Sequence, residues 1–540
     1  MKTAGQLQQF KKCIILFMVG VISSALAYAV HVINPIKLLF DYNLVMRPDS
    51  RVFTVWQKPP IEIFIRVYIF NITNPDEFLN GEEKLRVQEI GPYVYQEFLE
   101  NGNVTWNDNG TVSYVPRRSI VYVPEMSVGD PGLDIVRVPN IPMLGIYSAI
   151  HDAGFFINYP LTQLANYLNS QPILNITVYD YLWGYEDSLV RLASSIVPNF
   201  INFRKFGLLD RMYDEGENWV NMNIRPNKNM TEEVGRYLSI EKYNGSPGLA
   251  HWGYQKEENN EPNPANTICN RIQGATEGTL FPTNLDKNAV FRVFRKAFCR
   301  AFPIEFKDEV ETDSGLTGWK YSLTDNFLDQ PDVNPENECY CRKMKTCLKR
   351  GLSDLTPCYY NIPAAVSLPH FLDADPSLLE DVDGLHPDET KHRTNIILQP
   401  DIGMPLHVHS RLQTNLVMAH TTYNSKIKAF NDITVPLFWT DLYIPRMPSD
   451  LLRLVKLLVQ VAPILQTVTI CILAITGVTT FVLFLISTLW VLNQQNEEMK
   501  KNSERRESAE LRIPLGYGQY TAIRILPAIK KITSKTDLFG

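Results

Sequence analysis

The chain has 540 residues, is 45% hydrophobic and 20% charged, and carries a formal net charge of −6 at pH 7. The N-terminal stretch (Lys2, Lys11, Lys12) is +3, the tail after Asn493 is also +3 with nine Lys/Arg against six Asp/Glu, and the middle, with 40 basic and 52 acidic residues, is −12. A middle of that sign repels phosphates and argues against nucleic-acid binding.

Residues 13–33 form an apolar run. Roughly 20 apolar residues cross a hydrocarbon core of about 30 Å. The run is too long for a signal-peptide core of about 7–15 residues, and no small-x-small cleavage pattern stands before Asn34. It reads as an uncleaved anchor. Residues 1–12 are then a short N-terminal tail, and residues 34–449 a single ectodomain with no Ser/Gly linker, charge block or repeat to divide it.

Strand signals dominate the ectodomain's first part. Ile61, Ile63, Ile65, Val67 and Ile69 fall at every second position, on one face of a strand. Residues 93–98 and 112–123 read as strands beside turns at Asn101-Gly102 and Asn109-Gly110, since Asn-Gly is a strong hairpin signal. Helical spacing follows: Leu161, Leu164, Ala165 and Leu168 predict one helix, and Tyr181, Leu182, Tyr185, Leu189 and Leu192 a second. Residues 406–416 alternate again. The fold class is α+β, strand-rich, with one helical insertion.

Residues 450–467 carry Arg453 and Lys456 on an apolar stretch, the pattern of an amphipathic collar at a bilayer interface. Residues 457–496 hold no Asp, Glu, Lys or Arg. The second span is placed at residues 468–492, and a C-terminal tail at 493–540. Two spans put both termini on one side, and the positive ends belong in the cytosol. N-x-S/T sequons at Asn71, Asn103, Asn109, Asn175, Asn229 and Asn244 all lie between the spans, as glycans on the lumenal or extracellular side require.

Of eight Cys, Cys13 and Cys471 lie in the apolar runs. Cys269, Cys299, Cys339, Cys341, Cys347 and Cys358 read as three disulfides of an exported domain, with 15 pairings open. A zinc site from Cys339, Cys341 and Cys347 is the weaker reading, because structural zinc prefers C-x2–4-C pairs.

No G-x-S-x-G, H-E-x-x-H or G-x-x-x-x-G-K-[ST] spacing occurs, and no enzyme, metal site or cofactor is predicted. His407 and His409 share a strand face, read as polar surface rather than as metal ligands. His370, Asp373 and Asp375, flanked by Pro369 and Pro376, read as a turn scaffold.

Several boxes carry a family resemblance. Leu182-Trp-Gly-Tyr-Glu-Asp187 resembles the L-W-G-Y-x-D box of the class B scavenger receptors. So do 335–341 (PENECYC), 367–372 (SLPHFL) with 374–376, 383–385 with 392–394, Arg411-Leu-Gln413 with Asn415, Cys269-Asn270 with Gly274 and Phe281-Pro282, and Gly91-Pro92-Tyr93. The match runs in order over nearly the whole chain, with the same two-span topology. The family includes a fatty-acid translocase, a high-density-lipoprotein receptor, a lysosomal integral membrane protein and insect sensory neuron membrane proteins; the style of this chain is that of an invertebrate member.

The resemblance implies an ectodomain with an antiparallel β-barrel core, a helical apex bundle drawn largely from residues 143–197, and a lipid tunnel. It implies disulfides Cys269–Cys339, Cys299–Cys358 and Cys341–Cys347. It also implies a function: binding lipids or lipoproteins and transferring fatty acid, sterol or carotenoid through the tunnel to a plasma or endosomal membrane. The alternative is a lysosomal trafficking receptor with a protein ligand at the apex. Residues 143–188 contain no Lys or Arg, which disfavours capture of anionic particles there. In the tail, Tyr520-Thr-Ala-Ile523 fits a Y-x-x-Φ sorting signal for a cytosolic adaptor.

Overall fold

The computed structural model describes residues 2–196, 201–213, 218–225, 231–257, 263–341 and 347–507. Two compact units are present, Phe40–Val459 and the pair of segments Met1–Leu39 with Gln460–Gly540.

The larger unit is organised by one antiparallel sheet. Along its main path the strands are β1 (Ile63–Ile72), β2 (Leu85–Asn107), β3 (Thr111–Tyr122), β4 (Val220–Asn223) and β5 (Ile240–Tyr243). They continue as β6 (Phe291–Arg295), β7 (Arg300–Glu311), β8 (Thr317–Leu323), β9 (Asn395–Gln399), β10 (Met404–Val417) and β11 (Thr434–Ile444). Each strand pairs with its neighbour in the chain except across the long excursion from β5 to β6, and β11 returns to pair with β1. Residues 274–276 bridge that excursion. Gly274 N–H donates to Ile240 (2.9 Å), Ile240 N–H to Ala275 (2.7 Å), Thr276 N–H to Arg292 (2.7 Å) and Phe294 N–H to Thr276 (2.8 Å). The two end strands are thereby linked, and neither leaves its edge wholly unpaired, which is how a sheet avoids edge-to-edge aggregation.

The alternation of β1 sets its packing: Ile65, Val67 and Ile69 are at most 2% exposed and join the main apolar core. The Asn101-Gly102 turn is not formed. β2 runs through both residues with a register shift between Gly102 and Thr105, and the chain reverses only at residues 108–110. Asn101 is fully buried, and its Nδ2 donates to the Trp56 carbonyl at 2.8 Å. Asn101 and Gly102 pair in register with Pro116 and Val115, held there by this tertiary hydrogen bond, and the bulge falls just after them, where Asn103 takes a φ of 51°.

The helical insertion holds Ile141–Ala149 and Phe155–Tyr167, then two shorter helices where one was expected. Val178–Trp183 stops at Gly184, whose φ of 133° suits glycine, and Ser188–Ile196 begins afresh. Between them Tyr185–Glu186 pairs with Lys205–Phe206 as a small ladder. Thr177 caps the first helix through Asp180 N–H (3.0 Å), and Asp187 accepts from Leu189 and Val190 N–H at the start of the second.

Helix Ser449–Lys456 turns Leu451, Leu452 and Val455 onto a small cluster with Leu316, Ile402 and Leu406.

Two helical segments, Gln8–Ile33 and Ser449–Glu504, are long and apolar enough to cross a membrane, and the second unit holds the first of them and the second from Gln460 onward. Within it Lys2–Ile33 packs on Ala462–Glu507. Small residues meet there: a Cβ on Gly20 would lie 3.1 Å from Thr480 Oγ1, and one on Gly477 would strike Ser24 Oγ. Close backbone approach through small residues is a common basis for helix association in lipid. Phe17 and Phe484 meet beside the contact, with centroids 5.2 Å apart and ring planes tilted by 51°.

Candidate functional site

Alternate residues of β10 and β11 face an interior that holds three cavities. The first is walled by Thr414 and Leu416 of β10 and Phe438 of β11. The next takes Ser410 and Leu412 with Thr440 and Leu442. The last takes Val408 with Leu442 and Ile444. The period of two places these side chains on one face, so the cavities follow one another along the strands. From Val408 to Leu416 that is roughly 26 Å of strand. Neighbouring cavities share walls: Met212 between the first two, and Glu97, Arg118, Arg295 and Leu442 between the second and third.

The opposite face of the same strands is polar and covered. Gln413 and Asn415 are fully buried; Gln413 Nε2 donates to Asn415 Oδ1 (2.7 Å), and Asn415 Nδ2 to Ser367 Oγ (2.9 Å). Asp441 accepts from His409 (2.8 Å) and lies 3.6 Å from Arg411 and 3.8 Å from Arg66. His407 instead reaches the Pro445 carbonyl at 3.0 Å. His370 does not group with Asp373 and Asp375. Its Nδ1 accepts from His386 N–H, so Nε2 carries the proton and donates to Glu89 at 2.7 Å. Trp439 Nε1 donates to the same carboxylate (2.6 Å), and His392 stacks on His370 with centroids 4.4 Å apart. Burial opposes the charge of Glu89, but these hydrogen bonds hold its pKa below the usual carboxylate value. Burial and the neighbouring His370 lower His392 to about 4. Asp373 pairs with Arg393 and Asp375 caps Ser377, as turn residues do. The boxes around residues 367–372, 392–394 and 411–415 thus build a polar network that fastens covering loops to the sheet.

Cys269 is bonded to Cys339, and Cys341 to Cys347. Cys299 and Cys358 are thiols in this structure, not a third bridge. The two side chains nevertheless lie against each other beside His251. That contact draws the Cys299 thiol down, whereas burial pushes Cys358 up. Asn103, Asn109, Asn175 and Asn244 are exposed. Asn71 is buried on β1, and its Oδ1 accepts from Arg137 N–H at 2.8 Å. Asn229, Tyr520 and Ile523 lie outside the described residues.

The sequence motifs pointed to none of the charged residues at the shared wall. A signal was present: Tyr93, Tyr95, Glu97 and Leu99 are in phase on β2, and a carboxylate in an apolar phase is an anomaly that demands a partner. The partner is Arg118 of β3, whose Nε lies 3.2 Å from Glu97 Oε1.

The profile of the CD36 family matches residues 13–488. Scavenger receptor class B member 1 of Sus scrofa is 28% identical over 426 residues, covering 78% of each chain. Lysosome membrane protein 2 of Homo sapiens is 30% identical over 379 residues, covering 70% of this chain and 73% of its own. The chain belongs to the CD36 family, and the class B scavenger receptor resemblance is borne out.

Proposed function

We propose that this protein is a two-anchor membrane receptor that takes lipid from a lipid or lipoprotein ligand and passes it through the interior of a β-barrel to the membrane. The observation that carries this reading is the file of three cavities lined by alternate residues of β10 and β11. Each buried methylene contributes roughly 0.8 kcal/mol, so apolar walls of this length supply ample driving force for an acyl chain or sterol to leave water. In this reading both termini are cytosolic, the exposed sequons carry glycans, the tail engages a sorting adaptor through Tyr520 and Ile523, and the protein resides at the plasma membrane or in endosomes. The test is mass spectrometry of lipid extracted from full-length glycosylated protein in lipid discs, against empty discs. Stoichiometric fatty acid, sterol or carotenoid is expected. Protein that carries none and takes up none when offered overturns the transfer reading.

A second reading, a trafficking receptor with a protein ligand, is favoured by one surface. Phe155, Phe156, Ile157 and Tyr159 are exposed on Phe155–Tyr167, with Phe155 and Tyr159 stacked at 5.0 Å. Contiguous exposed apolar patches mark interaction sites. Co-purification of a soluble protein that is lost in Phe156→Asp would support it.

A further inference from the structure

Arg295 ends β6 and lines both the second and third cavities along the strands. Among the described residues its guanidinium makes no hydrogen bond or ion pair, although Glu97, Arg118, Tyr213 and Glu277 surround it. The nearby carboxylates are engaged elsewhere. Glu97 pairs with Arg118 and accepts from the Tyr213 hydroxyl at 3.3 Å, and Glu277 accepts from the Tyr114 hydroxyl. Burial, and then the like charge of Arg118, lower the Arg295 pKa. Arginine nonetheless stays charged in proteins and presents five donors suited to a carboxylate. Lys296 adds a second cationic residue to the same wall. On either side the walls are apolar: Ile65, Phe294 and Leu412 in one direction, Ile63, Leu99 and Ile444 in the other.

A deep, unpaired cation with apolar space beyond it matches one ligand chemistry, an amphiphile with a long chain and a single anionic head. We propose that Arg295 binds the carboxylate of such a lipid at the wall between the two cavities, so that the interior prefers an ionised long-chain acid to a neutral lipid of equal length. The proposal rests on the lipid-binding reading above. An incoming carboxylate would supply the charge-assisted hydrogen bonds that Arg295 lacks.

The test is equilibrium binding of oleic acid and of oleyl alcohol, at neutral pH, to the full-length protein in lipid discs. Wild type is expected to bind the acid about 10-fold tighter or more, the worth of a hydrogen bond to a charged group. Arg295→Gln should erase that preference, read as the ratio of acid to alcohol affinity within the variant, and Arg295→Lys should retain part of it. Equal affinity of wild type for acid and alcohol overturns the proposal, and needs no variant to fold. An undiminished acid preference in Arg295→Gln overturns it equally. Failure to bind either ligand would instead overturn the lipid-binding reading on which it stands.

Discussion

Glu97 and Arg118 face each other diagonally across the β2–β3 ladder, 3.2 Å apart, on the wall shared by two interior cavities. Glu97 is 6% exposed. A carboxylate this deep is tolerable only with its partner in place.

Removing one member of that pair therefore costs more than removing both. Glu97→Leu should destabilise the ectodomain by about 3 kcal/mol, because it strands Arg118 beside Arg295. The double variant Glu97→Leu with Arg118→Leu should recover a good part of the loss. Thermal unfolding of the two single variants and the double variant measures this; a double variant as unstable as the sum of the singles would contradict it.

Acid should weaken the fold through His392. Its folded pKa of about 4 lies below the ordinary value of 6.5. The unfolded chain thus takes up this proton first, and the associated stability is full above pH 6.5 and is lost as pH falls from 6.5 toward 4. The slope is at most about 1.4 kcal/mol per pH unit. Glu89, held below 4.5, adds a loss only below that pH. Replacing His392 with Gln should flatten the decline in melting temperature between pH 6.5 and 4.5. An unchanged decline would place the acid sensitivity elsewhere.

The membrane-helix pair should depend on Gly477. Any side chain there meets Ser24 and the backbone at Gly20. With Cys replacing both Phe17 and Phe484, whose rings lie 5.2 Å apart, a short bifunctional thiol reagent should crosslink the helices. Adding Gly477→Leu should reduce the crosslinked fraction several-fold. Full crosslinking in the presence of Leu would show that the contact is not sterically limited.

Cys299 and Cys358 should be joined in protein taken from an oxidising compartment. Cys299, the member of the pair held below its ordinary thiol value, is the reactive partner. Non-reducing peptide mapping should find the linked pair, leaving Cys13 and Cys471 as the thiols that react with maleimide. Recovery of unlinked Cys299 peptide from the exported protein would contradict this.

Local rules carried the reading where one periodicity ran uninterrupted. The alternation of residues 61–69 and 406–416 named β1 and β10, and the apolar runs named both long helices, because burial along a single element is written in its own sequence. They failed where a distant partner decided. Asn101-Gly102 became part of a continuous strand, with Asn101 held by the Trp56 carbonyl. The helix expected across residues 181–192 broke at Gly184, where Tyr185 and Glu186 found a ladder with Lys205 and Phe206.

By itself the sequence determined two apolar runs long enough to cross a membrane, the confinement of the sequons between them, the cysteine inventory and the family, since each depends on residue type and linear spacing alone. Only the tertiary structure decided that residues 274–276 link the ends of the sheet, that the recurring boxes fasten loops rather than line the interior, and that Arg295 stands unpaired between two cavities. Those facts depend on residues far apart in the chain meeting across strands, and pairing at such distance leaves no local periodicity to read.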